Sequence, residues 1–296
     1  MRIISVSSKN FTYIFLIFLF STGCATSAVL PTPTVFPLIA TPETTLLTKE
    51  DGTVEPVPVK EGCLSFGTLE RYQIDSALLN GPLYFSVYFP PCYDDNRKTG
   101  YPVLYALHGQ NFNDAMWVDL GLADIADRLI HSNEIPAFVA VMPYEEFDFR
   151  GADVNNFPSA LEEEIIPWVE NTLNVCVEKK CRAIGGISRG ASWAMRIGLN
   201  NWDFFGAIGS HSLPTFRGDI TELPQWLEEI PVGEEPHIYI DTGRFDPEVK
   251  STYRFESVLS EKGIPHEWHL NEGRHDEKYW QAQMESYLRW YGNAWQ

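Results

Sequence analysis

Short apolar runs alternate with segments whose apolar residues have helical spacing. The runs predict strands near residues 83–89, 103–107, 138–142, 183–187, 205–209, 237–240 and 267–270. The other segments predict helices at 122–130, at 159–174, from Ser188 onward and at 249–262. Because strands and helices alternate, the pattern indicates the α/β class, with a mostly parallel central sheet flanked by helices. The early strands follow one another without helices and predict an antiparallel N-terminal edge.

The N-terminus has a different pattern, which predicts export. Two basic residues, Arg2 and Lys9, precede an apolar run at 11–20. That run is shorter than the about 20 residues that a membrane-spanning helix needs, but it is typical of a signal peptide. We therefore expect residues 1–23 to be a signal peptide and the protein to be exported.

The segment after the signal peptide predicts a tether. Ser21-Thr22-Gly23-Cys24 resembles a bacterial lipoprotein cleavage site, although Ser21 stands where leucine is usual. Cys24 is therefore the candidate for lipidation, which would hold an extracellular or cell-surface protein on the membrane. Residues 24–60 contain many prolines and threonines and predict a semi-rigid linker. A single domain is expected over 61–296.

Charge and cysteine content narrow the function classes. The 296-residue chain has a formal net charge of −18, so it lacks the basic surplus that a nucleic-acid partner requires. Besides Cys24 there are four cysteines, an even number that predicts disulfides in an exported protein. We expect Cys176 to pair with Cys181 and Cys63 with Cys92. The rival interpretation, a zinc site, is disfavoured because these spacings fit no common zinc motif.

A pentapeptide between a predicted strand and a predicted helix carries the candidate chemistry. Gly186-Ile187-Ser188-Arg189-Gly190 matches the G-x-S-x-G nucleophile elbow, which requires this strand-to-helix context. The Ser188 hydroxyl would stand at a helix N-terminus, where the dipole and the main-chain amides favour developing negative charge. The alternative is a plain turn in which the serine only caps the helix.

Three histidines follow the elbow and compete as the general base. His266 and His269 lie in or beside the last predicted strand, where a structural histidine is the ordinary case. His275 lies in the loop after that strand, at the carboxyl edge of the sheet where active sites form. We predict that His275 accepts the proton of Ser188 and returns it to the leaving alcohol.

Two aspartates in one loop compete as the acid of the triad. The required order in this fold is serine, then acid, then histidine. Asp241 ends a predicted strand and is suited to ordering the loop, whereas Asp246 is further out and better placed to reach His275. We predict Asp246 as the partner that holds the imidazole tautomer. Asp276 is expected to point elsewhere.

Two main-chain amides are predicted to form an oxyanion hole. One belongs to Arg189, directly after the nucleophile, and the other to Gln110 in the loop after strand 103–107. Gly109 allows the backbone to approach a substrate closely. For His108 a structural role in fixing this loop is favoured over a direct one.

These elements together resemble the esterase family of esterase D, feruloyl esterases, siderophore esterases and the antigen 85 mycolyltransferases. The matching segments, in family order over roughly 62–292, are 101–109, Trp117, 163–170, 186–190, 204–210, 241–246 and His275 with Trp280. The resemblance implies an α/β-hydrolase fold and carboxylic ester hydrolysis by Ser188, Asp246 and His275, with no metal and no other cofactor. One departure is Ala191, where the family often has a second glycine.

The expected substrate is an acylated sugar or polysaccharide, or another small extracellular ester. The candidate substrate contacts are Phe216, Trp226 and Trp280, although packing explains Trp226 equally well. Two alternatives to a hydrolase remain. One is an acyltransferase of the same fold, and the other is a non-catalytic surface protein that binds carbohydrate.

Overall fold

The computed structural model describes residues 65–79, 81–147 and 150–296. The predicted signal peptide, linker and lipidation site at Cys24 lie outside these residues, as does Cys63. Within the described part of the chain, no helix is long and apolar enough to cross a membrane.

Eight strands form one sheet in the described ranges. They are β1 (Thr68–Asp75), β2 (Pro82–Phe89), β3 (Val103–Leu107), β4 (Val139–Pro143), β5 (Arg182–Ile187), β6 (Ala207–His211), β7 (His237–Gly243) and β8 (Glu267–Asn271). Their order in the sheet is β1-β2-β4-β3-β5-β6-β7-β8. The pairs β1–β2 and β2–β4 are antiparallel, and every later pair is parallel. The predicted α/β fold with an antiparallel N-terminal edge is thus confirmed.

Helices between the parallel strands, and one after β8, cover both faces of the sheet. They are α1 (Met116–Asp119), α2 (Leu122–His131), α3 (Phe157–Ala160), α4 (Ile166–Thr172), α5 (Arg189–Asn200), α6 (Asp219–Glu228), α7 (Val249–Lys262) and α8 (Glu277–Ala294). The helix predicted at 159–174 is interrupted by a π-helical turn at Leu161–Ile165. Pro167 gives a physical reason, since it lacks an N–H and its ring crowds the carbonyl four residues back.

The central strands are buried on both faces. Every residue of β3, β4 and β5 is buried, as their continuous apolar sequence predicts. Alternate side chains point to opposite faces, so Tyr105 and Leu104 belong to different apolar clusters. Trp193 of α5 lies in the first cluster and Tyr287 of α8 in the second. The sheet therefore has one apolar core on each side.

A disulfide closes the short loop before β5. Cys176 and Cys181 are bonded, which confirms the pairing expected from their spacing. Cys92 is also disulfide-bonded, and its predicted partner, Cys63, lies outside the described residues.

Candidate active site

Ser188 occupies a strained turn between β5 and α5. Its backbone angles are φ 55° and ψ −122°, in a region that residues with a side chain rarely adopt. The Ser188 N–H donates to the main-chain oxygen of His211 at 2.8 Å, which fastens the turn to β6. The strain is therefore held by the parallel strands around it, and the hydroxyl is presented at the start of α5.

Two glycines make this turn possible. A Cβ at Gly186 would lie 2.1 Å from the carbonyl group of Gly190. A Cβ at Gly190 would lie 2.3 Å from the main-chain oxygen of Leu107, at the end of β3. Both distances are far below van der Waals contact with rigid backbone atoms, so only glycine fits at either position.

His275 lies between Ser188 and Asp246 and contacts both. Its Nε2 is 2.8 Å from Ser188 Oγ, and its Nδ1 is 2.9 and 3.0 Å from the two carboxylate oxygens of Asp246. These are ordinary hydrogen-bond distances. The three residues follow β5, β7 and β8, whose carboxyl ends share one edge of the sheet. With Nδ1–H donating to Asp246, Nε2 is free to accept the serine proton.

Asp246 is held as a carboxylate although it is only 2% exposed. Burial raises the pKa of this carboxyl group, but hydrogen bonds from His275 and from the Glu248 N–H, the latter at 2.7 Å, outweigh burial. The resulting pKa lies below the ordinary value of an aspartate. Asp246 is therefore ionised at neutral pH and keeps the proton of its histidine partner on Nδ1.

Asp276, His266 and His269, which were also considered from the sequence, have partners outside the triad. Asp276 caps α8 by accepting the Tyr279 N–H at 3.0 Å. His266 bonds the main-chain oxygen of Ile264 at 2.8 Å. His269 stacks on Tyr239 with ring centroids 4.7 Å apart.

Two predicted substrate contacts need correction because their side chains are buried. Trp280 is 2% exposed and packs edge to face against His275 at 5.1 Å, while its Nε1–H donates to Ser212 Oγ at 3.0 Å. Trp226 is 7% exposed, with the Arg196 guanidinium 5.2 Å from its ring. Neither ring offers a face to a substrate. Trp280 packs against the His275 ring. Trp226 is a packing residue, which was the second of the two roles considered for it.

Phe216 lies beside the side chain of Arg189, the residue that follows the nucleophile. It is half-buried, its ring centroid is 4.4 Å from that of Trp193, and the Arg189 guanidinium lies 5.1 Å from it. A substrate contact through its exposed part stays a prediction.

The loop after β3 passes directly beside the nucleophile. A Cβ at Gly109 would lie 3.5 Å from the Cβ of Ser188. In the described ranges, no main-chain oxygen outside the regular helix and strand ladders accepts the N–H of Gln110 or of Arg189. Their role as oxyanion donors stays a prediction.

Asp241 is the centre of a buried network that the sequence did not reveal. It is fully buried and accepts hydrogen bonds from His211 Nδ1 at 2.7 Å, from the Tyr287 hydroxyl at 2.9 Å and from the Tyr279 hydroxyl. Burial, followed by the nearby Asp241 charge, raises the pKa of both phenols, so they remain donors. Asp241 joins β6, β7 and α8 below the triad, consistent with the ordering role expected for it.

A buried ion pair beside the elbow was also not predicted. The Arg189 side chain donates to the Glu145 carboxylate at 2.6 Å. Glu145 also borders a cavity of about 490 Å³, whose lining includes Tyr84, Tyr144, Phe147, Asn155 and Phe157. The only sequence signal for the pair was a charged residue inside the elbow, which does not identify its partner.

Comparisons with known proteins agree on one family. The family model described as "Putative esterase" matches residues 76–291. An endo-1,4-beta-xylanase/feruloyl esterase of Xylanibacter ruminicola is 30% identical over 158 residues, which are 50% of this chain and 22% of that protein. Esterase Rv1288 of Mycobacterium tuberculosis is 28% identical over 153 residues, 45% of this chain and 30% of that protein. The chain thus spans less than a third of either relative.

Solved structures show the same fold at low identity. A ferulic acid esterase superposes with a TM-score of 0.69 at 22% identity, covering 78% of this chain and all of the other. A ferulic acid esterase from Anaeromyces mucronatus in complex with ferulic acid gives 0.68 at 20% identity, covering 80% and 95%. The family match includes the elbow and both loops that follow β7 and β8. The chain therefore belongs to the α/β-hydrolase family of esterases that this family model describes.

Proposed function

We propose that the protein is an exported serine carboxylic-ester hydrolase that works through an acyl-enzyme on Ser188. The observation that carries this proposal is the position of His275, whose Nε2 is 2.8 Å from Ser188 Oγ while its Nδ1 is 2.9 Å from Asp246. Family membership supports the same reaction class.

The geometry supports a two-step reaction. His275 Nε2 takes the proton of Ser188 as Oγ attacks the ester carbonyl carbon, and Asp246 stabilises the imidazolium. The amides of Gln110 and Arg189 donate to the oxyanion that forms. The imidazolium then protonates the leaving alcohol, which leaves the acyl group on Ser188. In the second step His275 takes a proton from a water molecule whose oxygen attacks the acyl carbon. It then returns this proton to Ser188 Oγ as the bond to the acyl group breaks and the acid leaves.

The substrate we propose is an acylated sugar or polysaccharide, or another small extracellular ester. The cavity of about 490 Å³ has a size usual for ligand sites and borders Glu145, the partner of Arg189, although Ser188, Asp246 and His275 are not among its lining residues. Its aromatic side chains suit an aryl or sugar ring. The relative from Xylanibacter ruminicola is named as a feruloyl esterase, and one similar structure holds ferulic acid. Export rests on the apolar run at 11–20, and membrane tethering rests on Cys24.

A substrate screen tests this proposal. The purified protein would be assayed with p-nitrophenyl esters, methyl ferulate, and acetylated or feruloylated sugars. We expect hydrolysis of the simple esters and a higher kcat/KM for sugar esters. A protein that hydrolyses none of them would contradict the proposal. Product analysis with an added sugar alcohol separates the alternatives, because an acyltransferase would form the new ester in preference to the free acid.

A further inference from the structure

Glu145 lies between the two segments that supply the proposed oxyanion donors. It follows β4, and its side chain is 4% exposed. Its carboxylate accepts Arg189 Nε at 2.8 Å and Nη2 at 2.6 Å, while the rings of Phe147 and Trp193 lie 4.9 and 5.4 Å from the guanidinium. This two-point contact fixes the direction of the planar guanidinium. It therefore restrains the residue whose main-chain N–H directly follows the nucleophile.

The main-chain N–H of Glu145 is connected through His108 to the loop after β3, which carries Gln110. The Glu145 N–H donates to His108 Nε2 at 2.9 Å. Since Nε2 is the acceptor, the ring proton lies on Nδ1, and Nδ1–H donates to the Gly109 carbonyl oxygen at 2.7 Å. Burial lowers the pKa of His108, which keeps the ring neutral and this tautomer available.

The hydrogen bond to Gly109 determines where the Gln110 amide points. The Gly109 carbonyl and the Gln110 N–H belong to one planar trans peptide unit, so they point in opposite directions. The Phe112 N–H donates to the same carbonyl at 3.0 Å. A carbonyl held by two donors fixes the plane of the peptide, and with it the direction of the Gln110 N–H.

We propose that Glu145 is a positioning residue that sets both donors of the oxyanion hole, through its carboxylate on Arg189 and through its N–H and His108 on Gln110. This inference rests on the proposed ester hydrolysis. Negative charge develops on the carbonyl oxygen only as the tetrahedral intermediate forms, so misplaced donors weaken transition-state binding more than substrate binding. Damage to this arrangement should lower kcat and leave KM nearly unchanged.

The first test compares Glu145→Ala and Glu145→Gln in the full chain with p-nitrophenyl acetate. Loss of one complete oxyanion donor typically costs about 100-fold or more in kcat. Because the Arg189 N–H is only misplaced, we expect roughly a tenfold loss or more in Glu145→Ala and a smaller loss in Glu145→Gln, which keeps an oxygen acceptor. Binding of a trifluoromethyl ketone, which forms a tetrahedral adduct with serine, should weaken in parallel with kcat/KM.

A matched control separates positioning from simple destabilisation. Glu170 also pairs with a largely buried arginine, Arg182, at 2.7 Å, but Arg182 begins β5 at the edge of the sheet opposite Ser188. Glu170→Gln should lower the unfolding temperature about as much as Glu145→Gln and leave kcat unchanged. Equal kcat losses in the two variants, or a raised KM with normal kcat in Glu145→Ala, would overturn the inference.

Variants of His108 test the connection that runs from the Glu145 N–H through His108 to Gly109. Substitutions at Glu145 do not remove it, because it uses the main chain of that residue. His108→Asn places an amide nitrogen near the position of Nδ1 and can still donate to Gly109. His108→Gln reaches the Glu145 N–H but loses that donor. We expect the asparagine variant to retain the higher kcat. Equal kcat values would refute the claim that His108 positions the Gln110 amide through Gly109. A wild-type protein that hydrolyses no ester would instead overturn the proposed function, and this inference with it.

Discussion

Replacement of Ser188 by alanine is expected to lower kcat by about 10⁴-fold or more while the protein still folds. The substitution removes only the Oγ atom that lies 2.8 Å from His275 Nε2, so no acyl-enzyme can form. Alanine has the same backbone requirements as serine at φ 55°, and the glycines that shape the turn remain. Initial rates at saturating ester and the unfolding temperature would be measured together.

Ser192→Ala is a matched control for this experiment. Ser192 lies one turn further along α5, and its buried hydroxyl donates to the main-chain oxygen of Pro214. Its loss should affect stability and leave most of the activity. If the Ser188→Ala variant retains most of the esterase activity, Ser188 is not the nucleophile.

Replacement of His275 by alanine is expected to be nearly as damaging. Without the imidazole, Ser188 loses the base that lies within hydrogen-bond reach, and the leaving alcohol loses the acid that would protonate it. Residual turnover would come from the oxyanion hole and substrate binding alone, so the expected loss in kcat is about 10³-fold or more. The same ester and the same saturating conditions as for Ser188→Ala would be used.

His269→Ala serves as the control for His275. His269 lies on β8, stacked on Tyr239, and should be dispensable for the reaction. If His269→Ala is the inactive variant and His275→Ala keeps its rate, then the histidine assignment is wrong.

The fold and the catalytic geometry follow patterns that are local in sequence. Strand and helix periods over about ten residues predicted the alternation that produces the parallel sheet. The elbow needs its serine and both glycines within five positions, because the clashes that exclude a Cβ at Gly186 and Gly190 arise in the turn and at the end of β3. His275 and Asp246 could be chosen because strand ends share one edge of the sheet.

Side-chain burial could not be derived in this way. Trp280 was a candidate substrate contact, and for Trp226 substrate contact and packing were equal alternatives, yet α6 and α8 bury both rings. The Glu145–Arg189 pair joins residues 44 positions apart, and Asp241 meets Tyr287 over 46 positions. Such contacts depend on how helices and loops are seated across the sheet, which no local pattern encodes.

Labelling with a fluorophosphonate is the most direct test of the central claim that Ser188 is the nucleophile. In the proposed mechanism the oxyanion donors and the N-terminus of α5 stabilise the developing negative charge without a metal ion, so ester hydrolysis should continue in EDTA. We expect one probe per chain, located by mass spectrometry on the peptide that contains Ser188 and absent from Ser188→Ala. Labelling of a different residue, or hydrolysis that proceeds without labelling and stops in EDTA until zinc is added, would contradict this claim.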